Sequence, residues 1–166
     1  SGLTSSLSGL VPSGDGGGQK ARRWHGAHSD VAEETVPQHY VAAEKIGLTH
    51  SFATAEAEFL KKNASGPFKI TIPSPSMFTR LFHSEISKDV YADVNELLDD
   101  LVKLYQGEIE ALHKIGVPYL QLDSLRYIDT IQAAHTGDIN PADARGTLER
   151  LVEIDNRVLG SMKREG

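Results

Sequence analysis

The sequence of 166 residues contains no cysteine. Disulfide bonds, thiolate metal sites and cysteine nucleophiles are therefore excluded for this chain. Its 17 Lys and Arg residues are outnumbered by 23 Asp and Glu residues, which gives a net charge of −6. This acidic balance argues against a general nucleic-acid binder and against binding to anionic membrane surfaces.

Long apolar runs are also missing. No stretch of the sequence approaches the roughly 18 apolar residues that span a bilayer. The amino-terminal stretch does not show the basic and then apolar pattern of a signal peptide. Together with the lack of cysteine, these features lead us to expect a cytoplasmic protein.

Composition predicts one globular domain preceded by a flexible segment. Residues 1–18 are rich in Ser and Gly and end in the run Gly14–Gly18, a composition that buries too little apolar area to offset its ordering entropy. A glycine-rich loop that cradles phosphate is the alternative, but such a loop needs a preceding strand and a following helix. We therefore expect a flexible segment at 1–18 and a folded domain at 19–166.

Two histidines and one acidic cluster are the candidate metal sites in the sequence. His25 and His28 lack the i, i+4 spacing of helical zinc ligands, so surface positions in a loop are the favoured interpretation. Acidic side chains also cluster along a predicted helix, where a solvated helix face is favoured over a cation site. That cluster comprises Asp89, Asp93, Glu96, Asp99 and Asp100.

The central feature of the sequence is a strand–helix–strand unit. Short apolar β runs at 67–72 and 118–123 flank a long amphipathic segment at 88–115. Two strands that are joined by a helix are expected to be parallel neighbours with a right-handed crossover. In parallel α/β folds, ligands bind at the carboxyl ends of the strands.

Weaker signals predict the remaining elements. We expect a strand at 40–48, a helix at 55–63 with Thr54 as its N-cap, and a loop with a short helix at 125–134. Gly116 is predicted to end the long helix, and Asn140-Pro141 to start a last helix that runs to about Met162. His83 and His113 are expected to be structural.

Two motifs carry a resemblance to a known family. The run Lys69–Met77, followed about fifty residues later by Tyr119–Asp123, resembles the cobalamin-independent methionine synthase family, and most closely its shorter single-barrel homologues. The resemblance covers about residues 20–162. It implies part of a (β/α)8 TIM barrel of the methionine synthase/uroporphyrinogen decarboxylase type.

The resemblance also implies a reaction. The family moves a methyl group from methyltetrahydrofolate to the sulfur of homocysteine, and zinc activates that sulfur as a thiolate. The aspartate of the second motif binds the amino group of the substrate, and Asp123 is the matching residue. Ser74 and Ser76 are candidates to hydrogen-bond the pterin or the amino acid. The alternatives are a helix N-cap or loop carboxylate for Asp123 and a Pro-rich turn closed by the two serines.

Two departures from the family keep other interpretations open. Ser124 follows Asp123 where the family has Glu-Pro or another acid, and without cysteine the chain cannot supply the family's zinc ligands. Only three family strands are evident, so we expect a piece of a larger polypeptide or a complementing chain.

A non-catalytic half-barrel that binds a partner or a copy of itself is the alternative function. The sequence does not distinguish a methionine-synthase-like enzyme from another methyltransferase of the same superfamily. It also assigns no catalytic residue.

Overall fold

The structure is a computed structural model that describes residues 2–13 and 39–160, and the described part is a mixed α/β fold. Gly14–Gly18, His25 and His28 lie outside the described residues. Two 3-10 segments, at Pro75–Leu81 and Ser87–Asp89, lie between the strand Ile70–Pro73 and the helix Val94–Ile115. In chain order the other elements are α1 (Gly2–Ser6), β1 (Leu7–Pro12), β2 (Tyr40–Leu48), α2 (Thr54–Asn63), β3 (Ile70–Pro73), α3 (Val94–Ile115), β4 (Leu120–Asp123), α4 (Arg126–Thr136) and α5 (Pro141–Leu159).

The predicted strand–helix–strand unit is present. β3 and β4 pair in parallel, and their register runs from Ile70 opposite Leu120 to Pro73 opposite Asp123. The side chains of Ile70 and Ile72 are buried in the main hydrophobic core, to which α3 contributes seven buried residues. This arrangement places the two sequence motifs at the same edge of one sheet.

The amino-terminal strands differ from the expectation. Leu7–Pro12 forms a strand that pairs antiparallel with β2, so the prediction of a flexible segment does not hold for residues 2–13. The strand predicted at 40–48 is confirmed, but among the described residues it pairs only with β1 and does not join β3. A local irregularity in β1 helps to explain why the sequence pattern did not predict this strand. Gly9 has φ +82°, and a Cβ there would lie 2.8 Å from the carbonyl oxygen of Lys45.

Helix α3 is bounded by two local signals. Asp93 Oδ1 accepts the backbone N–H groups of Asn95 at 2.8 Å and Glu96 at 3.0 Å, and these bonds hold the pKa of Asp93 below its ordinary value. The helix therefore starts at Val94 rather than at Lys88, where the predicted amphipathic segment begins. It ends as predicted at Gly116, which is left-handed with φ 89°.

The first turn of α2 is held by residues other than the predicted cap. Thr54 is inside the helix, and its N–H donates to Ser51 Oγ at 3.0 Å. Glu108 of α3 accepts Ala53 N–H at 2.9 Å and the Ser51 hydroxyl at 2.5 Å. Because Glu108 is only 3% exposed, these two bonds are what makes a buried carboxylate tolerable in the core.

The last helix begins as the sequence predicts. Asn140 Oδ1 accepts Asp143 N–H at 2.9 Å, and Pro141 is the first helical residue. The described part of α5 ends at Leu159, and Met162 lies outside the described residues. None of the helices within residues 2–13 and 39–160 is both long enough and apolar enough to cross a membrane.

The acidic side of α3 forms ion pairs at the surface. Glu96 and Asp100 approach Lys45 Nζ of β2 at 2.9 Å and 3.5 Å, and Asp99 pairs with Arg157 of α5 at 2.6 Å. The Lys45 ammonium also lies 4.0 Å from the ring centroid of Tyr91. These acids connect α3 to its neighbours. Within the described part of the chain, no group of three or more His, Asp or Glu side chains is placed to hold a metal ion.

Candidate functional site

The carboxyl ends of β3 and β4 form the candidate site. Beyond the last strand pair, Ser74 N–H donates to the carbonyl oxygen of Asp123 at 2.7 Å. Tyr105 of α3 donates its hydroxyl to the carbonyl oxygen of Pro73 at 2.6 Å. The Tyr105 side chain is fully buried, and burial is the main reason that its pKa is raised, with the charges of Asp155 and Glu108 adding to the effect. Hydrogen bonds from β4 and from α3 therefore hold the backbone at the end of β3 in place.

Ser74 and Ser76 lie at the start of the 3-10 segment and are both fully buried. Ser74 Oγ accepts Ser76 N–H at 3.2 Å, which caps that segment. The two hydroxyl oxygens are 2.8 Å apart, and Ser124 Oγ lies 3.4 Å from Ser76 Oγ. These contacts show that the two serines close the Pro-rich turn. Their hydrogen bond to a ligand stays a prediction.

Asp155 is the residue of this site that the sequence interpretation missed. It projects from α5, and its Oδ1 accepts the Ser74 hydroxyl at 2.5 Å. Its Oδ2 accepts the Tyr127 hydroxyl at 2.9 Å. The sequence held one usable signal, because Asp155 lies on the apolar stripe of α5 between buried Leu151 and Val158. A carboxylate on a buried helix face requires a partner.

The hydrogen-bond roles in this network follow from counting protons. An ionised carboxylate only accepts, so the single Ser74 hydroxyl proton points to Asp155. Ser76 must then donate its own hydroxyl proton to Ser74 Oγ. Ser124 is left to donate to Ser76, while its oxygen accepts Arg126 N–H at 3.3 Å. The result is an ordered chain of donation that starts at Ser124 and ends on Asp155.

The pKa of Tyr127 depends in part on its contact with this network. Burial raises its pKa to about 12, and the hydrogen bond to Asp155 and the negative charge of that carboxylate act in the same direction. Tyr127 is therefore a neutral donor throughout the physiological pH range. The hydroxyl stabilises Asp155 by donating to it and is not poised to act as a base.

Asp123 lies at the end of β4 with its side chain exposed. Among the described residues its carboxylate has no hydrogen-bond or ion-pair partner. It does not cap α4, because the N-cap position is Leu125 and Arg126 N–H is bonded to Ser124. Of the two alternatives to substrate binding, the helix N-cap is thus not what the structure shows, and a loop carboxylate remains.

The face of the sheet that carries Asp123 is polar. Side chains alternate along a strand, so Thr71 and its partner Gln121 lie on the face opposite to buried Ile70 and Ile72. Lys69 Nζ donates to Gln121 Oε1 at 2.9 Å, which places both on this same face. Asp123 follows Gln121 by two residues and continues the polar row.

A cleft of about 360 Å³ adjoins this row and includes Thr71, Pro73 and Met77 in its lining. Phe52 and Phe78 add apolar surface, and the charged side chains that line it are Glu56 and Arg80. Asp123 is not among the lining residues. The cleft combines apolar side chains with two side chains of opposite charge.

The zinc ion implied by the family resemblance does not fit the residues present. The family holds its metal with thiolates, and the sequence has none. The described residues also contain no cluster of His, Asp and Glu that replaces them. We therefore derive no step that passes through a metal on this chain.

Comparison of the chain with protein-family models, with curated proteins and with solved structures gives no match in any of the three. The interpretation of the site therefore rests on its residues and their geometry.

Proposed function

We propose that the chain supplies the amino-acid-binding part of a methyltransferase of the cobalamin-independent methionine synthase type. The observation that carries the proposal is the parallel pairing of β3 and β4, which brings Ser74 and Asp123 to one sheet edge. In this proposal β3, α3 and β4 are a section of a (β/α)8 barrel. Their polar sheet face corresponds to the barrel interior.

Asp123 is the proposed ligand for the ammonium group of homocysteine or a related amino acid. Its carboxylate is exposed and has no partner among the described residues, so it is available to accept charge-assisted hydrogen bonds. Ser74 and Ser76 keep the Pro-rich turn in place, and through it the sheet edge. Methyltetrahydrofolate is the proposed methyl donor, and the cleft beside Met77 has room for its pterin ring.

The proposal covers binding and orientation of the amino acid by this chain. Activation of the thiol needs ligands that the chain does not contain, so a complementing polypeptide would have to provide them. A cytoplasmic location is part of the same proposal.

Binding of homocysteine, measured by isothermal titration calorimetry on the full chain, tests the role of Asp123. We expect Asp123→Asn to weaken binding by about tenfold to a hundredfold, since one charged hydrogen bond is worth about 1.5–3 kcal/mol. Asp89→Asn is the matched control, because Asp89 is also an exposed acid and lies before α3.

A second ligand makes the test specific. 4-Mercaptobutanoate is homocysteine without its amino group, and it should bind the native chain and Asp123→Asn equally weakly. Equal binding of both ligands to the native chain would falsify the ammonium role.

One observation favours the alternative of a non-catalytic half-barrel that assembles through its open edge. Four large apolar side chains that flank β4 or lie on α4 are more than half exposed, and among the described residues β4 pairs only with β3. Exposed apolar surface beside a free strand edge is typical of an interaction site. The four are Tyr119, Leu125, Ile128 and Ile131.

Light scattering distinguishes the two candidates. A self-associated chain that Ile128→Lys converts to a monomer, and that has no affinity for homocysteine, supports the assembly protein. A monomer that binds homocysteine through Asp123 supports the methyltransferase part.

A further inference from the structure

A second cleft, of about 550 Å³, lies where α5 packs near the first turns of α3 and α4. It takes no lining residue from β3 or β4, and Asp123 does not line it. Two arginines contribute to its wall, Arg126 from the start of α4 and Arg150 from the middle of α5.

The two guanidinium groups differ from those of two other arginines of α5. Arg145 pairs with Glu149 at 2.9 Å and Arg157 pairs with Asp99 at 2.6 Å. Arg126 and Arg150, by contrast, have no ion-pair or side-chain hydrogen-bond partner within residues 2–13 and 39–160. The chain has six more acidic than basic residues, so acidic partners for arginine are plentiful. Two arginines without such a partner in one cleft therefore set this cleft apart.

The rest of the lining leaves the cleft suited to an anion. Its one acidic side chain among the described residues is Asp143, whose carboxylate is occupied by the Asn140 amide at the start of α5. Thr79 and Asn95 add neutral polar groups to the wall. The lining therefore carries two guanidinium charges and one carboxylate, and that carboxylate already has a hydrogen-bond partner.

We propose that this cleft binds a small organic phosphate, with Arg126 and Arg150 on the phosphoryl oxygens. The guanidinium fork matches phosphate oxygens bidentately, and a phosphate monoester carries nearly two negative charges at neutral pH, which suits two cations. The apolar part of the lining, including Leu98 and Ile154, offers contact surface for the organic part of the ligand. This site is independent of the function proposed for Asp123.

Titration of the full chain with phenyl phosphate, inorganic phosphate and benzoate at constant ionic strength tests the proposal, with backbone NMR shifts as the readout. We expect phenyl phosphate to bind more tightly than the other two. Shift changes should be confined to the first turns of α3 and α4 and the adjacent part of α5.

Variants then assign the contacts. Arg126→Gln and Arg150→Gln should each weaken the binding of phenyl phosphate by about tenfold or more, since each substitution removes charge-assisted hydrogen bonds. Arg145→Gln, an exposed arginine of α5 that does not line the cleft, should change binding less than twofold. The urea midpoint of all three should stay that of the native chain, because the substituted side chains are exposed.

Three outcomes overturn the site. They are shift changes spread over the whole surface, an Arg145→Gln effect equal to the other two, and benzoate binding as tightly as phenyl phosphate. Asp123→Asn should leave phenyl phosphate binding unchanged, so failure of this proposal and failure of the proposed function are told apart.

Discussion

Ser74 Oγ donates a hydrogen bond of 2.5 Å to Asp155 Oδ1 across 81 residues of sequence. Because Tyr127 donates to the other carboxylate oxygen, Asp155 joins the end of β3 and the start of α4 to the carboxyl-terminal part of α5. The candidate site thus depends on a helix that carries none of its motifs.

Replacement of Asp155 should destabilise the fold. Asp155→Ala leaves the buried Ser74 hydroxyl and the Tyr127 hydroxyl without their acceptor, and we expect the free energy of unfolding to fall by about 3 kcal/mol. Ser74→Ala should cost about 2 kcal/mol. Urea unfolding of the single and double variants should give a coupling of about 1.5 kcal/mol. Glu153→Ala, at an exposed position of the same helix, should be close to neutral. Additive effects of the two substitutions would contradict the contact.

Alkaline pH should destabilise the protein through ionisation of the half-buried Tyr127. The folded-state pKa of Tyr127 is raised to about 12, whereas an unfolded tyrosine titrates near an ordinary value of about 10. The stabilisation is therefore complete below about pH 10 and is lost as the pH rises toward 12. Tyr127→Phe should flatten this decline in urea midpoints measured from pH 9 to 11.5. An unchanged slope in that variant would show that Tyr127 is not among the responsible groups.

Removal of the Asp155 charge should lower the pKa of Tyr127 only in part. Burial is the largest cause of the raised pKa, and the Asp155 hydrogen bond and charge are smaller ones. In Asp155→Asn, spectrophotometric titration at 295 nm should therefore detect Tyr127 ionising at lower pH than in the native chain but above an ordinary tyrosine. Tyr127→Phe identifies which part of the absorbance curve belongs to this residue.

Two glycines of the same region should respond to alanine with opposite sign. Gly116 ends α3 with φ 89°, so Gly116→Ala forces a side chain into the left-handed region and should cost about 1 kcal/mol. Gly107 lies within α3, and a Cβ there meets nothing within 4 Å. Gly107→Ala should stabilise the protein by about 0.5–1 kcal/mol through helix propensity. Thermal unfolding of both variants measures the difference, and two changes of the same sign would contradict the assignment.

Glu108 should matter for the attachment of α2 to α3. Glu108→Ala leaves the buried Ala53 N–H without an acceptor and should cost about 2–3 kcal/mol in urea unfolding. Glu108→Gln keeps an acceptor oxygen and should cost less than half as much. Glu110→Ala, on the exposed side of α3, is the control and should change stability by less than about 0.5 kcal/mol.

Local signals account for what the sequence predicted correctly. The apolar stripe of α3, the glycine at 116 and the Asn140-Pro141 pair each act within one or two helical turns, and all three are found in the structure. The parallel pairing of β3 and β4 was also predicted, because a helix of this length permits no hairpin. Helix boundaries were less accurate, since Asp93 rather than the start of the stripe sets the first residue of α3.

What the sequence did not predict depends on partners far along the chain. β1 is short and Ser/Gly-containing, and it becomes a strand because β2 pairs with it from Leu48 back to Tyr40. Asp155 joins the site only through Ser74 and Tyr127, which no local pattern connects. The same holds for Glu108, whose partners Ser51 and Ala53 lie more than 50 residues earlier. Of the candidate site, the strand ends were predictable and the network behind them was not.

The distance of 81 residues between Ser74 and Asp155 also has a kinetic consequence. A contact that closes so long a loop carries a larger entropic cost than the contacts of α3 with its adjoining strands. We therefore expect it to form after the folding transition state. Asp155→Ala should then accelerate unfolding with little change in the folding rate, so the lifetime of the ordered strand ends is set by how long α5 stays attached.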